Sequence, residues 1–459
     1  MESDPIYDYG MRGLLLILAL ALSGCAWVDP YNMIGRHGAE NMGIPYEVVP
    51  PPPGGMLDAK QREEAFDFVW RTIERRYYDP SFNGVDWKAV VERYRPLAMK
   101  ALDDQAFWDV LDRMTGELKD AHTRVESPKN AALRKLNQSV SLGFSFVPMQ
   151  GKLAVTAVNA ESDAWWAGVR PGMLLVTIAG EEAMTAYERL IAGTRYDSTE
   201  RSRHLRAVRR LISGDEGTNV AFTFERAEGS RFDAKLGRNK ITYRPMARHR
   251  VLPSGFGYLR ITQWTLGVLP RALAGLEALK DTPGLVIDLR GNPGGSLHVV
   301  NAMINKFFTR RTELGRVITR TGEPVSMLFG AVEIVKLESE VSGDEEAYKG
   351  PVVILVNASS GSGSEFFAAT MQASGRAVIA GEPSCGCLLG FLGYARIPGG
   401  GELAYSEVGF VMANGKRIEG EGVVPDHHIP LMLGDLRVSR DRTLEQAQQI
   451  LRHMKPWNP

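Results

Sequence analysis

A chain of 459 residues, 44% hydrophobic and 24% charged, is long enough for about three domains with real cores, which excludes a disordered or fibrous protein. Its 54 Lys and Arg balance 54 Asp and Glu, so no global positive field holds a polyanion and nucleic acid is excluded as the expected partner. Three cysteines are too few for a disulfide scaffold.

From Met11 to Leu22 the chain reads MRGLLLILALAL, followed at once by Ser23-Gly24-Cys25. The run is shorter than the roughly 20 apolar residues of a permanent span, and small residues before a cysteine suit cleavage and lipidation of the thiol. Residues 1–24 are therefore expected to be a lipoprotein signal peptide, with Met11 as the true start because residues 1–10 fit no n-region. Leu22-Ser23-Gly24-Cys25 resembles the bacterial lipoprotein pattern, and Ala26 implies a Gram-negative outer membrane facing the periplasm, with acylated Cys25 as the membrane anchor. Residues 25–56 end in Pro50-Pro51-Pro52-Pro53-Gly54-Gly55 and read as a Pro-rich stalk.

Between Asp58 and Leu118 the apolar positions recur at helical spacing: Phe66, Val69, Trp70, Ile73 and Tyr77, then Phe107, Val110, Leu111, Met114 and Leu118. This predicts an N-terminal helical region over 57–138, which includes Asp120-Ala121-His122-Thr123. From Val140 the period becomes that of strands (LGFSF, KLAVTAV), followed by a short helix near Ser162, a basic helix from Ser198 to Leu211 and the strand NVAFTFER. The order over 139–242 resembles a PDZ domain, with Leu142, Gly143 and Phe144 at the loop that takes a peptide's terminal carboxylate. The arginines of the basic helix (Arg201, Arg203, Arg206, Arg209, Arg210) read as a solvated face beside Asp215 and Glu216.

From residue 243 to 433 strands and helices alternate, which predicts a layered α/β core. GLVIDLR leads into Gly291-Asn292-Pro293-Gly294-Gly295, and PVVILVN leads into Ala358-Ser359-Ser360-Gly361-Ser362-Gly363-Ser364-Glu365 before a helix expected to begin at Glu365. A serine at a helix N-terminus meets free amides and the positive end of the dipole, which favour developing negative charge. A C-terminal helix or tail fills 434–459.

Together, the Asp288-to-Gly295 run, the Ser-Gly-Ser-Gly-Ser-Glu loop, Gly381-Glu382-Pro383 and Glu419-Gly420-Glu421-Gly422-Val423-Val424-Pro425-Asp426 resemble the tail-specific, or C-terminal processing, serine proteases. The resemblance implies an α/β fold with a ClpP/crotonase-like layered core, an N-terminal helical region and an inserted PDZ domain. It places the nucleophile at Ser362 and the oxyanion-hole amides at Gly294 or Gly295 and at Gly363. Many members use a lysine as general base, and that position here holds Cys387, whose thiol cannot replace an amine. The tricorn-like branch uses Ser, His and Glu, which match Ser362, His122 and Glu419. Cys385-Gly386-Cys387 lacks the companions of a four-ligand zinc site, and a link across one residue is expected to be strained, although a reversible redox link stays open. No metal or cofactor is expected. The sequence thus reads as a lipid-anchored periplasmic serine endopeptidase that captures polypeptide substrates. The alternative is a catalytically degenerate, PDZ-containing peptide-binding lipoprotein.

Overall fold

The computed structural model describes residues 57–455 and Trp457; the expected signal peptide, Cys25 and the stalk lie outside the described residues. Three helices follow, Ala59–Arg76, Trp87–Met99 and Asp104–Gly116, each started by an aspartate (Asp58, Asp86, Asp103) that accepts a first-turn N–H. Their apolar stripes meet in one core, with Phe66, Val69, Ile73 and Tyr77 against Phe107, Leu111 and Met114. Leu389, Leu403 and Tyr405, from far along the chain, complete the same core.

Strand Arg124–Glu126 then pairs antiparallel with strand Glu402–Ala404, Arg124 opposite Ala404. This short ladder carries the helical region onto the α/β core. Strands Gln138–Ser141 and Asn239–Thr242 pair where the chain leaves and re-enters, and between them lies an antiparallel sheet of Phe144–Met149, Lys152–Val158, Leu174–Ile178, Asn219–Glu225 and Arg231–Gly237 in that order. Its core is aromatic, with Phe144, Phe146, Phe222 and Phe224 buried together. The basic helix runs Glu200–Ile212 behind its Thr199 cap.

The core sheet has six strands, ordered Ala247–Val251, Gly257–Ile261, Leu285–Asp288, Val352–Val356, Val378–Gly381 and His427–His428. The first pair is antiparallel and the rest are parallel. All five residues of Val352–Val356 are buried, as a central parallel strand covered on both faces requires. Helices Leu297–Asn305 and Gly363–Ala373 contribute to the larger core around Ile287 and Ile354, and helix Arg442–His453 covers the other face through Ala447 and Leu451. Glycine turns leave two neighbouring parallel strands at their carboxyl ends, where open α/β sheets gather ligands.

Ile354 is fully buried in this central strand. Ile354→Ala is expected to lower unfolding free energy by about 2–5 kcal/mol, read from the shift in urea midpoint at unchanged slope.

Candidate active site

Strands Leu285–Asp288 and Val352–Val356 lie side by side with Asp288 opposite Leu355, so the turns that follow them touch. Asn292 ties them together. Its carbonyl accepts the Gly361 N–H at 3.0 Å, its Oδ1 accepts the Gly294 N–H at 2.9 Å and its Nδ2 donates to the Ile261 carbonyl at 3.1 Å. The Ser360 hydroxyl donates to the Leu289 carbonyl at 2.8 Å, and the Ser364 hydroxyl accepts the Trp264 indole N–H at 2.9 Å. Both of those serines are fully buried in structural bonds, whereas Ser362 remains half-buried.

Ser362 sits at φ 53°, ψ −119°, a conformation that a non-glycine residue adopts at a cost of about 1–3 kcal/mol. Close approach explains the neighbouring glycines. A Cβ on Gly294 would stand 2.6 Å from the Ser362 Cβ, and one on Gly295 would stand 2.1 Å from the Trp264 carbonyl oxygen. The helix begins at Gly363, two residues before the expected Glu365, because the Glu365 side chain folds back to accept the Ser362 N–H at 3.0 Å.

His122 arrives from 240 residues away, with its Nε2 at 3.1 Å from the Ser362 Oγ. Buried Asp120 fixes the loop that carries it, accepting the His122 N–H at 2.7 Å, the Ser406 hydroxyl at 2.7 Å and the Thr123 hydroxyl. Burial, opposed by the Asp120 charge and reinforced by Arg124, holds the imidazole pKa down at about 4, so the ring is neutral at pH 7. A neutral ring can accept a proton at Nε2 when Nδ1 carries the hydrogen. Nδ1 itself is buried without a hydrogen-bond partner.

The expected amide donors divide. Among the described residues the Gly295 and Gly363 N–H groups meet no protein acceptor, and they flank Ser362, the Gly363 Cβ position lying 3.5 Å from the Gly295 nitrogen. Gly294 is a correction: its N–H is consumed by Asn292, and its role is to let the turn approach Ser362.

Glu419 is buried close to Asp120, and burial first and the Asp120 charge second push its pKa well up; the Ser198 hydroxyl and the Leu388 N–H oppose the shift. Among the described residues neither carboxylate oxygen makes a hydrogen bond of good geometry, so a direct link from Glu419 to the His122 ring is not formed. A different carboxylate dominates the nucleophile's turn. Fully buried Glu365 accepts the Ser362, Gly386 and Cys387 N–H groups and the Ser384 hydroxyl. Burial raises its pKa to about 6 despite those four donors.

Cys385 and Cys387 are joined, the link that the sequence left open, with Cα atoms 5.3 Å apart and Gly386 at φ 76° between them. Two other expectations change. Leu142, Gly143 and Phe144 do not form an open carboxylate loop. The Leu142 N–H donates to the Ile212 carbonyl, the Gly143 N–H donates to the Ser141 hydroxyl, and the Phe144 ring fills the core. The basic helix is not a uniformly solvated face. Arg201 binds the Ser384 and Glu421 carbonyls, Arg203 those of Ile191 and Thr194, and Arg206 pairs with Asp197, while Asp215 and Glu216 pair with Lys129 and Lys240.

Residues 255–429 match peptidase family S41, and residues 58–116 match the tricorn protease C1 domain. The chain is 24% identical to a tricorn protease homolog of Streptomyces coelicolor over 87% of its own length and 33% of that relative's. It is 26% identical to the chloroplastic carboxyl-terminal-processing peptidase 3 of Arabidopsis thaliana over 69% of its length and 59% of that relative's, so it spans a third to three fifths of these proteins. Among solved structures its fold resembles the photosystem II D1 C-terminal processing protease (TM-score 0.54, 22% identity, 85% of this chain and 97% of that one). It also resembles mature CPAF complexed with lactacystin (TM-score 0.64, 15% identity, 86% and 98%).

Three residues of the site escaped sequence reading: Asp120, Glu365 and Arg195. Asp120 and Glu365 lie beside motif residues, and only their complete burial distinguishes them from caps. Arg195 gave no signal. It reaches from the insert into the helical region, bonding the Asp120 and Thr123 carbonyls, the Thr115 hydroxyl and the Asp112 carboxylate. Gly116 makes the room, since a Cβ there would stand 2.8 Å from Arg195 Nε. Arg195→Lys keeps the charge but loses the fork, and is expected to cost about 3 kcal/mol in chemical denaturation, the penalty of breaking a buried pair.

Proposed function

We propose that this chain is a serine endopeptidase working by acyl-enzyme chemistry with a histidine, not a lysine, as general base. The 3.1 Å approach of His122 Nε2 to Ser362 Oγ carries the reading; among the described residues His122 is the partner of that hydroxyl. Ser362 Oγ attacks the scissile carbonyl as Nε2 takes its proton, and the Gly295 and Gly363 N–H groups receive the oxyanion. The imidazolium then protonates the departing amine, and water, activated by the same ring, hydrolyses the ester. Nothing at position 387 can act as an amine base, because Cys387 is bonded to Cys385. Glu419 is the acid that the tricorn-like pattern offers as third member; it lies close enough to Asp120 for their charges to act on each other, without a hydrogen bond to the His122 ring among the described residues.

The sequence pattern before Trp27 supports anchoring through acylated Cys25 and exposure to the periplasm. The insert's likeness to a PDZ domain supports capture of polypeptide segments. Strand Phe144–Met149 is an edge of its sheet and suits strand addition better than the occupied Leu142–Gly143–Phe144 turn.

A serine-directed phosphonate is expected to label wild-type protein and to fail on Ser362→Ala and, by a factor of about 10²–10⁴, on His122→Ala. No labelling of wild type under any condition would leave the peptide-binding reading. The rate of labelling is expected to fall as pH drops through about 4, where the imidazole gains its proton. An inflection near pH 6 that vanishes in Glu365→Gln would report the buried carboxyl behind the nucleophile. A profile climbing steadily into the alkaline range would instead indicate an amine base.

Glu419 gives a prediction of opposite signs. Its folded pKa lies above 4.5, so the folded state holds that proton more tightly and the group opposes folding increasingly as pH rises above 4.5. Glu419→Gln is expected to raise Tm at pH 8 more than at pH 4.5 while slowing phosphonate labelling; a lower Tm at pH 8 would assign Glu419 a structural role instead.

A further inference from the structure

The loop after the Cys385–Cys387 link brings an aromatic side chain beside His122. Leu388 enters the larger core and Leu389 the core of the helical region, both almost fully buried. Among the described residues Phe391 enters neither of those cores; it stays half-exposed, its ring centre 6.0 Å from that of the His122 imidazole. One residue pins it from both sides: the Glu407 N–H donates to the Gly390 carbonyl at 2.9 Å, and the Leu392 N–H donates to the Glu407 carboxylate at 2.9 Å. Glu407 follows Ser406, whose hydroxyl holds Asp120 at 2.7 Å, so Phe391 and the His122 loop are registered against the same short segment.

Two side chains brace the ring. Tyr394 meets it edge-on, centres 5.2 Å apart, and the Arg124 guanidinium lies 5.5 Å from the Phe391 ring centre and 5.4 Å from that of Tyr394. Each guanidinium nitrogen of Arg124 is engaged, Nε with Glu126 at 3.2 Å, Nη1 with the His122 carbonyl at 3.2 Å and Nη2 with the Tyr394 hydroxyl. A held hydrocarbon surface thus stands beside the imidazole. On the histidine-base reading, the imidazolium hands its proton from Nε2 to the departing amine, so the residue that carries this amine lies against the surroundings of the ring. Phe391 is within one side chain of that place. An apolar side chain set on it removes two hydrocarbon surfaces from water, and an aromatic one gains edge-on or offset contact as well. A polar side chain would lose water and find no partner in Arg124, whose donors are taken.

We propose that Phe391, braced by Tyr394 and Arg124, forms a subsite for the first residue on the leaving side of the scissile bond and selects a large apolar or aromatic side chain there. The subsite rests on the endopeptidase reading, because that reading makes the surroundings of His122 the leaving side. Its substrate class is a polypeptide whose released fragment begins with such a residue.

The test uses the full chain and runs the leaving step in reverse. Peptide thiobenzyl esters ending in Ala, Val, Phe or Lys acylate Ser362 with loss of benzyl thiol, and amino-acid amides then compete with water for the acyl group. In transfer, the α-amino nitrogen bonds to the acyl carbon and gives its proton to His122, the bond from that carbon to Ser362 Oγ breaks, and Oγ takes the proton back. Transfer to leucinamide and phenylalaninamide is expected to exceed transfer to glycinamide and asparaginamide by about tenfold, the scale of one partly buried side chain. Phe391→Ala is expected to bring that ratio close to one, and Phe391→Leu to keep it between the two. A weakened base slows transfer to every amide alike, so a merely structural role for Phe391 leaves the ratio unmoved. With the protein labelled by phosphonate, equal transfer to all amides, no transfer to any, or a ratio that survives Phe391→Ala overturns the subsite and leaves the endopeptidase reading standing. Absence of labelling removes both.

Discussion

The contact between the His122 imidazole and the Ser362 hydroxyl joins parts of the chain 240 residues apart, and each layer of the fold secures one side of it. On the serine side, two neighbouring parallel strands end together and Asn292 stitches their turns, so Ser362 is held in a backbone conformation it would not choose. On the histidine side nothing local would hold the ring. The Arg124–Glu126 ladder with Glu402–Ala404, and the Asp120 carboxylate bonded to Ser406, bring the base-bearing loop onto the core. The insert adds a third restraint through Arg195 and the Ser198–Arg201 turn, which grip both loops. A load on the insert therefore acts on the Ser362 and His122 loops through the same few bonds.

Burial governs the electrostatics of this meeting point. Burial favours the uncharged form of three groups in it: His122 is pushed down, and Glu365 and Glu419 are pushed up. A neutral imidazole is the state that can accept a proton, and it would become charged only as the oxyanion forms beside it. The two buried carboxyls differ in how they are satisfied. Glu365 has four donors and serves as a hub for the Ser362 and Ser384–Cys387 backbones, whereas Glu419 has none of good geometry. An unsatisfied buried carboxyl is costly to keep, which is the physical argument for giving Glu419 an electrostatic part in the reaction rather than a structural one.

The secondary structure of the core was legible because its signals are local. Fully apolar runs ending in glycine-rich turns mark central parallel strands, and the strand Val352–Val356 and the helix after Ser362 lie close to where that pattern puts them. The identity of Ser362 among three serines came from resemblance; the structure adds the physical reason, since Ser360 and Ser364 are consumed by buried bonds. What escaped depends on who occupies each polar group. Gly294 and Gly143 looked like free amides, yet side chains two residues away, Asn292 and Ser141, had already taken them. Arg195 gave no signal and the arginines of the basic helix looked like surface charge, because composition cannot say which carbonyl or carboxylate a long side chain will reach.

Position 387 shows why a lysine can be absent without the turn being lost. Its backbone does the structural work: the carbonyl accepts the Ser362 N–H at 3.1 Å and the N–H donates to Glu365 at 2.9 Å, neither of which depends on the side chain. The side chain is free to be anything that leaves those bonds alone, and here it closes onto Cys385, whose own N–H donates to the Ser360 carbonyl. An ammonium in that place would have had to lose its proton in a buried region that already holds Glu365 and Glu419, two carboxyl groups whose negative forms would keep it charged. The His122 imidazole, brought in from the opposite side, is held neutral by burial and by the Arg124 and Arg206 charges, against the pull of Asp120 and Asp197. On the proposed reading, these electrostatic grounds make a histidine a better partner than an amine for a Ser362 backed by a buried carboxyl.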